Sequence, residues 1–443
     1  MARRPTPPAP VVRVGDGHGP VGQLAPQPWT TDAATRRLLA ALRAGGRPVR
    51  FVGGCVRDGL LNRPVADIDL ATPEPPERVM ALLEKAGLKA VPTGLQHGTV
   101  THPAPPLTFE ITTLRRDVAC DGRHAVVAYT EDWRADAARR DFTINALSAD
   151  PSSGAVWDYF NGLDDLAQGR VRFVGRATRR IEEDHLRILR FFRFFARYGR
   201  PPADRDALAA CTARRAGLAA LSGERVRAEM LKIIGGPEAT DTLLLMRGHR
   251  VLAEVLPEAA HFDRLRQVTF LVERGVVRDG LKADPLRRLA CLIGPDPKAA
   301  RAIATRWRLS GAEAARLLTL CGPLEEAEPS LGPPALRALA ERLGTATAAD
   351  RLLLAWAAQR AASGRTDAAL SQRWRAALDG VLDWTVPDFP LKGQDLLDLG
   401  MAPGPGVGML LGELKALWRA EDYAPDYQDL LAEARRRLDP DQP

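Results

Sequence analysis

Near residue 180 the hydrophobic pattern of this chain changes period, and that change restricts the possible folds more than any other feature. Before it, short apolar runs alternate with helical stretches. Residues 49–52, 67–72, 98–102 and 107–114 read as strands. Residues 31–45 and 76–86 read as helices, the first with Leu38, Leu39 and Leu42 on one side. After it the pattern stays helical, broken only at Gly and Pro, as at Gly235-Gly236-Pro237, Gly322-Pro323 and Gly332-Pro333-Pro334. The chain of 443 residues is too long for one ordinary domain. The expected architecture is therefore an α/β domain over residues 29–175 followed by all-α domains. Residues 1–28 hold seven prolines and little periodicity, and are expected to be a disordered tail.

Composition excludes several classes. No apolar run approaches the roughly 20 residues of a membrane span. The opening MARRPTPPAP lacks the apolar core of a signal peptide, so a cytoplasmic location is expected. Five scattered cysteines form no C-x-x-C pair, which argues against a disulfide framework or a zinc site. A net charge of +7, from 62 Lys+Arg against 55 Asp+Glu, suits a polyanionic partner without requiring one.

Five segments carry chemistry. In Phe51-Val52-Gly53-Gly54-Cys55-Val56-Arg57-Asp58 a strand runs through two glycines into a helix. Glycine lets backbone approach a phosphate, and a helix start offers N–H groups to it. Arg57 is placed to grip the same phosphate. Alone, the pair is an ordinary strand-to-helix turn. In Asp67-Ile68-Asp69 the strand alternation puts both aspartates on one face. Two adjacent carboxylates repel unless cations neutralise them, and hard oxygen ligands suit Mg²⁺. A solvated edge strand is the plain alternative.

In Leu107-Thr108-Phe109-Glu110-Ile111 the apolar residues face the core, so Glu110 projects the other way. If this strand neighbours the first, Glu110 is a third carboxylate for a two-metal phosphoryl-transfer site. One metal would activate an attacking hydroxyl and the other would steady a leaving pyrophosphate. Arg139-Arg140-Asp141-Phe142-Thr143-Ile144-Asn145 brings guanidinium groups for triphosphate oxygens, with Asn145 suited to a ribose hydroxyl. Residues 181–198 read as one helix, in which Asp184, Arg187 and Arg190 make one polar stripe. A solvated salt-bridge stripe is the bland reading of that spacing.

In this order the segments resemble the class II CCA-adding enzymes and the related bacterial poly(A) polymerases. The resemblance runs over residues 48–235 through G-G-C-V-R-D, D-I-D, F-E-I-T-T, R-R-D-F-T-I-N-A-L, D-Y-F-N-G-L-D-D-L and E-D-H-L-R-I-L-R-F-F-R-F. It continues in the neck-like segment Gly223-Glu224-Arg225-Val226-Arg227-Ala228-Glu229. It implies a polymerase-β-like nucleotidyltransferase head, then helical neck (176–250), body (251–380) and tRNA-binding tail (381–443).

The resemblance also implies roles. Asp67 and Asp69 hold the metal, Mg²⁺, with Glu110 as third acid. Gly53, Gly54, Arg57 and Arg140 contact the triphosphate. Asp184, Arg187, Arg190 and Arg193 line the nucleotide-binding helix. Residues 115–134 occupy the place of the family's flexible loop. The implied reaction adds C, C and A from CTP and ATP to the 3′ acceptor end of tRNA, with no membrane and no obligate protein partner. Base reading has a chemical logic. Cytosine and adenine each present an amine beside an unprotonated ring nitrogen, so a carboxylate at Asp184 accepts from one and a guanidinium at Arg187 donates to the other. Uracil and guanine fail both contacts.

Two other readings stand beside this one. A poly(A) polymerase, or an enzyme adding A alone, shares the head motifs. The dedicated basic signature of the first is missing, and His249 and His261 lack the adjacent Asp of a phosphohydrolase domain. A catalytically inactive RNA-binding protein would have no need to retain Asp67, Asp69 and Glu110.

Overall fold

A computed structural model describes residues 19–120, 125–278, 281–323, 327–364 and 367–438; the side chains of residues 117–127 are outside that description. The chain forms two compact units, Met1–Pro257 and Glu258–Pro443.

The first unit begins with β1 (Gly22–Gln23), α1 (Pro28–Thr31), α2 (Ala33–Arg43), β2 (Arg50–Val52), α3 (Gly54–Leu60), β3 (Asp67–Thr72) and α4 (Pro76–Lys85). It continues with β4 (Val91–Gly94), β5 (Thr99–Ala104), β6 (Leu107–Thr113), β7 (Arg115–Cys120), β8 (Ala125–Tyr129), α5 (Trp133–Ala138), β9 (Ser148–Ala149), β10 (Ala155–Trp157) and α6 (Gly162–Gln168). Eight strands form one sheet in the order β1-β10-β9-β2-β3-β6-β5-β4. Every pairing in it is antiparallel except β3 with β6, which is parallel. Alternation builds the sheet: Ile68 and Leu70 of β3, and Phe109 and Ile111 of β6, are buried on one side.

The helical part of this unit follows as α7 (Ala177–Glu183), α8 (Leu186–Tyr198), α9 (Arg205–Arg214), α10 (Gly223–Gly235), α11 (Ala239–Gly248) and α12 (Leu252–Val255). A phenylalanine cluster joins it to the sheet domain. Phe142 packs on Phe173 at 4.9 Å and on Phe194 of α8 at 5.2 Å between ring centroids.

Three sequence expectations need correction. Order begins before residue 29, because β1 pairs with β10 and Leu24 is buried; the rest of the expected tail, residues 1–18, lies outside the described residues. Two short strands gave no periodicity to read. The segment 115–134, expected as a loop, contains the β7–β8 strand pair and the first two residues of α5; residues 121–124 lie outside the described residues. The single helix over 181–198 is two helices. Asp184 breaks it with φ −159° and ψ 106°, and its own carboxylate takes the Leu186 N–H at 3.1 Å. A side chain that satisfies the next helix's free N–H competes with continuation of the previous helix.

The described regular elements of the second unit are all helices, from α13 (Phe262–Glu273) to α22 (Tyr427–Leu438). A buried ion pair, Arg287 to Asp350 at 2.7 Å, lies inside it. The final helices close over their own core of Leu391, Leu396, Leu414, Trp418 and Leu430. No described helix is long and apolar enough to cross a membrane.

The N-terminal segment is a structural part of the first unit. Trp29 is 5% exposed and meets Phe51 of β2 edge-to-face at 4.8 Å. A Cβ on Gly59 would lie 3.1 Å from Leu24 and 3.3 Å from Trp29, so glycine allows the segment to lie against α3. Removing the indole leaves a cavity over that helix. Trp29→Ala should lower unfolding stability by about 3–5 kcal/mol, seen as a lower denaturant midpoint for the first unit. An unchanged midpoint would show that the segment is not part of the packed core.

Candidate active site

The parallel register of β3 and β6 sets the centre of the site. Asp69 lies opposite Glu110 and Asp67 opposite Thr108, so Glu110 shares the face that carries both aspartates. Asp67 and Glu110 are exposed and Asp69 is partly buried. Burial, together with the charges of Glu110 and Asp67, pushes the Asp69 carboxyl up to about 6, against the opposing pull of Arg140 and Arg57. Among the described residues no three His, Cys, Asp or Glu side chains already converge as a metal cage. The donor set still fits a hard cation. Mg²⁺ is held by one or two carboxylates and takes its remaining ligands from water and substrate phosphates. Asp67 and Asp69 offer such a pair.

Gly53 makes the wall beside it. Its φ of 73° lies in the left-handed region, and a Cβ there would stand 2.7 Å from Arg140 Nη1 and 3.5 Å from Asp69 Oδ2. The glycine thus lets Arg140 reach the carboxylates. Its own N–H is engaged, donating to the Leu147 carbonyl at 3.0 Å. The close approach that glycine permits at this position is to Arg140 and Asp69. Arg140 also donates to Asp136 at 3.4 Å and to the Asn145 carbonyl at 3.4 Å. Gly54 opens α3. Cys55 next to it is buried, which pushes its thiol up to about 12 and leaves it unreactive.

Arg57 is only 6% exposed. Its Nε and Nη2 form a fork onto Asp58, at 3.1 and 2.8 Å, and its Nη1 donates to Asn145 Oδ1. Asn145 donates in turn to Asp141 at 3.0 Å, and Asp141 accepts Arg190 Nε at 2.7 Å. Burial opposes the charge of Asp141, but Arg190 and Asn145 outweigh it and hold the carboxyl below its usual range. Arg193 donates to Glu229 of α10 at 2.6 Å. Arg190 and Arg193, expected on the nucleotide, are thus bound to protein carboxylates and tie α8 to its neighbours.

Asp184 and Arg187 lie at the break between α7 and α8, not on one helical stripe. Asp184 Oδ2 accepts Arg225 Nη2 at 2.7 Å. Arg187 donates to Glu183 at 2.7 Å, to the Arg180 carbonyl at 2.8 Å and to the Arg139 carbonyl at 3.3 Å. That last bond sets Arg187 against the residue before Arg140, and so joins it to the carboxylate centre. Sequence reasoning missed Glu183 and Arg225 as partners, although both sit inside quoted motifs. It also missed Asp58 and Tyr198, and nothing local to Tyr198 signals its role.

A sheet carrying paired carboxylates, followed by helices that clasp it, is a nucleotidyltransferase architecture. Residues 49–172 match the family model described as the poly A polymerase head domain, and residues 204–263 match a probable RNA and SrmB-binding site of polymerase A. The mitochondrial CCA tRNA nucleotidyltransferase 1 of Mus musculus is 34% identical over 395 residues, covering 87% of this chain and 86% of that one. The CCA-adding enzyme of Limosilactobacillus fermentum is 29% identical over 422 residues, covering 91% and 96%. The solved CCA-adding enzyme of Bacillus stearothermophilus in complex with CTP is 25% identical, with a TM-score of 0.72 over 93% of this chain and 98% of that chain. The chain belongs to the CCA tRNA nucleotidyltransferases.

The pH behaviour follows from Asp69. Its carboxyl is raised above the ordinary value of 3.8 to about 6, so the folded protein holds that proton more tightly than the unfolded chain does. The group's contribution to metal-free stability is therefore fully present below the unfolded value and lost as pH rises through about 6. A cation competes with the same proton. Divalent-ion affinity measured by calorimetry should be weaker at about pH 5 than at about pH 7.5, and Asp69→Asn should flatten that dependence. Equal affinity at both pH values would remove Asp69 from the metal site.

Proposed function

We propose that this chain completes the 3′ end of tRNA with C, C and A from CTP and ATP, at Mg²⁺ held by Asp67 and Asp69, with Asp184 and Arg187 reading the base. The observation that supports the site is the parallel pairing that sets Asp69 beside Glu110. The RNA 3′-hydroxyl attacks the α-phosphorus; the new bond joins O3′ to that phosphorus, the bond to the β-phosphate oxygen breaks, and pyrophosphate leaves. Bound magnesium supplies activation of the hydroxyl and neutralisation of the leaving pyrophosphate. Asp67 and Asp69 present oxygens for it, and Glu110 is the third acid of the same face. Arg140, admitted by Gly53, and Arg57 on α3 offset triphosphate charge.

Selection of the base needs rigid groups, because a loose side chain would adapt to the wrong partner. Asp184 is held by Arg225, and Arg187 by Glu183 and two carbonyls. Asp184 keeps lone pairs for the exocyclic amine of cytosine or adenine, and Arg187 keeps N–H donors for the ring nitrogen. Uracil or guanine would leave both unsatisfied, at about 1–3 kcal/mol each. RNA contact fits residues 204–263, on the strength of the family model matched there, and would be mostly to backbone phosphates.

Two variants test the assignment. Asp69→Ala should abolish nucleotide incorporation onto tRNA lacking CCA while leaving tRNA binding nearly intact; turnover in that variant would overturn the metal role. The wild type should add two C and one A and then stop, read at single-nucleotide resolution. Arg187→Ala should raise misincorporation of UTP and GTP relative to CTP by about tenfold or more, the cost of one unmet hydrogen bond. Unchanged selectivity would take Arg187 out of base reading.

A further inference from the structure

The charged residues around α8 form a closed circuit. Arg190 binds Asp141, Asp141 binds Asn145, Asn145 binds Arg57, and Arg57 binds Asp58. From Asp58 the circuit returns to α8, because Tyr198 donates its hydroxyl to Asp58 Oδ1 at 2.8 Å. Arg190 and Tyr198 are about 12 Å apart along the helix axis, at 1.5 Å per residue. Tyr198 thus adds a fastening at the C-terminal end of α8 to those made by Arg187, Arg190, Arg193 and the phenylalanines.

Tyr198 holds Arg57 in a second way. The Arg57 guanidinium lies 4.2 Å from the Tyr198 ring centroid, and Arg63 lies 4.6 Å from it. The ring thus supports one plane of Arg57 while Asp58 takes two of its N–H groups at the edge. Two of the five guanidinium N–H groups on Arg57 are aimed by this arrangement without being used in it. The first turn of the same helix carries Arg187.

We propose that Tyr198 and Asp58 are positioning residues that couple the grip on the triphosphate to the reading of the base. This rests on the reading above in which Arg57 contacts the triphosphate and Arg187 the base. The hydroxyl of Tyr198 touches neither; it orients Asp58, which orients Arg57, and it fastens the end of α8 opposite to Arg187. Loss of that hydrogen bond loosens both functions together, although they lie at opposite ends of the helix.

The test uses the full-length protein and inorganic tripolyphosphate, a probe with no base, as competitive inhibitor of CTP incorporation. Tyr198→Phe keeps the ring and removes only the hydroxyl. It should weaken tripolyphosphate inhibition and raise KM for CTP and ATP by about tenfold, the effect of one hydrogen bond to a charged group. kcat should stay within about twofold, and UTP incorporation relative to CTP should rise. Unchanged inhibition and KM in Tyr198→Phe would overturn the proposal, as would a uniform fall in kcat with a lowered melting temperature and no change in selectivity. Arg57→Lys separates the underlying reading. If it leaves tripolyphosphate inhibition unchanged, Arg57 does not hold the triphosphate. If it weakens inhibition and Tyr198→Phe does not, only the coupling through Tyr198 fails.

Discussion

Like-charged carboxylates repel, and the site exists because two strands hold them together against that repulsion. The parallel pairing of β3 with β6 fixes Asp69 opposite Glu110. Ile68, Leu70, Phe109 and Ile111 are 0–1% exposed on the other side. Apolar burial on one face therefore stabilises an arrangement of charge on the other that would be unfavourable alone. Burial foremost, with the neighbouring charges of Glu110 and Asp67 adding to it, raises the Asp69 carboxyl. Much else in the first unit follows from this constraint: the left-handed Gly53, the inward reach of Arg140 past it, and the helices that support those arginines.

A second constraint acts at Asp184. By leaving the helical conformation, this residue divides one apparent helix into α7 and α8 and frees its carboxylate to be held by Arg225. Arg187, one turn later, is held by Glu183 and by the carbonyls of Arg180 and Arg139. The pair is thereby held in place, as the proposed base reading by hydrogen bonding requires. The rest of α8 serves attachment. Arg190 and Arg193 bind Asp141 and Glu229, and the phenylalanines of its inner face pack on Phe142 and Phe173.

The central strands were readable because alternation leaves a strong local mark. In Asp67–Thr72 the expected and observed strand coincide, and Leu107, Phe109 and Ile111 face inward as their spacing requires. Features without a local mark were missed. The two-residue strand at Gly22–Gln23 is too short to show a period. The β7–β8 hairpin pairs only with itself among the described strands, and its first strand opens on the polar run Arg115-Arg116-Asp117. The helix break at Asp184 was hidden because the flanking residues keep helical spacing on both sides.

The chain alone determined what kind of chemistry is present and which segments carry it. Alternation along two strands is a local property and put Asp67, Asp69 and Glu110 forward, and residue type put Arg140 forward, whereas the role of Arg187 came from the resemblance of its motif to the family. Which atoms each one meets depends on segments far apart in the chain, and only the tertiary structure decided that. Arg57 is turned inward by Asn145, 88 residues away, and Asp58 is claimed by Tyr198, 140 residues away. Arg190 and Arg193 are held by Asp141 and Glu229, partners that lie 49 and 36 residues away in the chain. A charged side chain satisfies the nearest opposite charge in space, and sequence distance does not measure that separation.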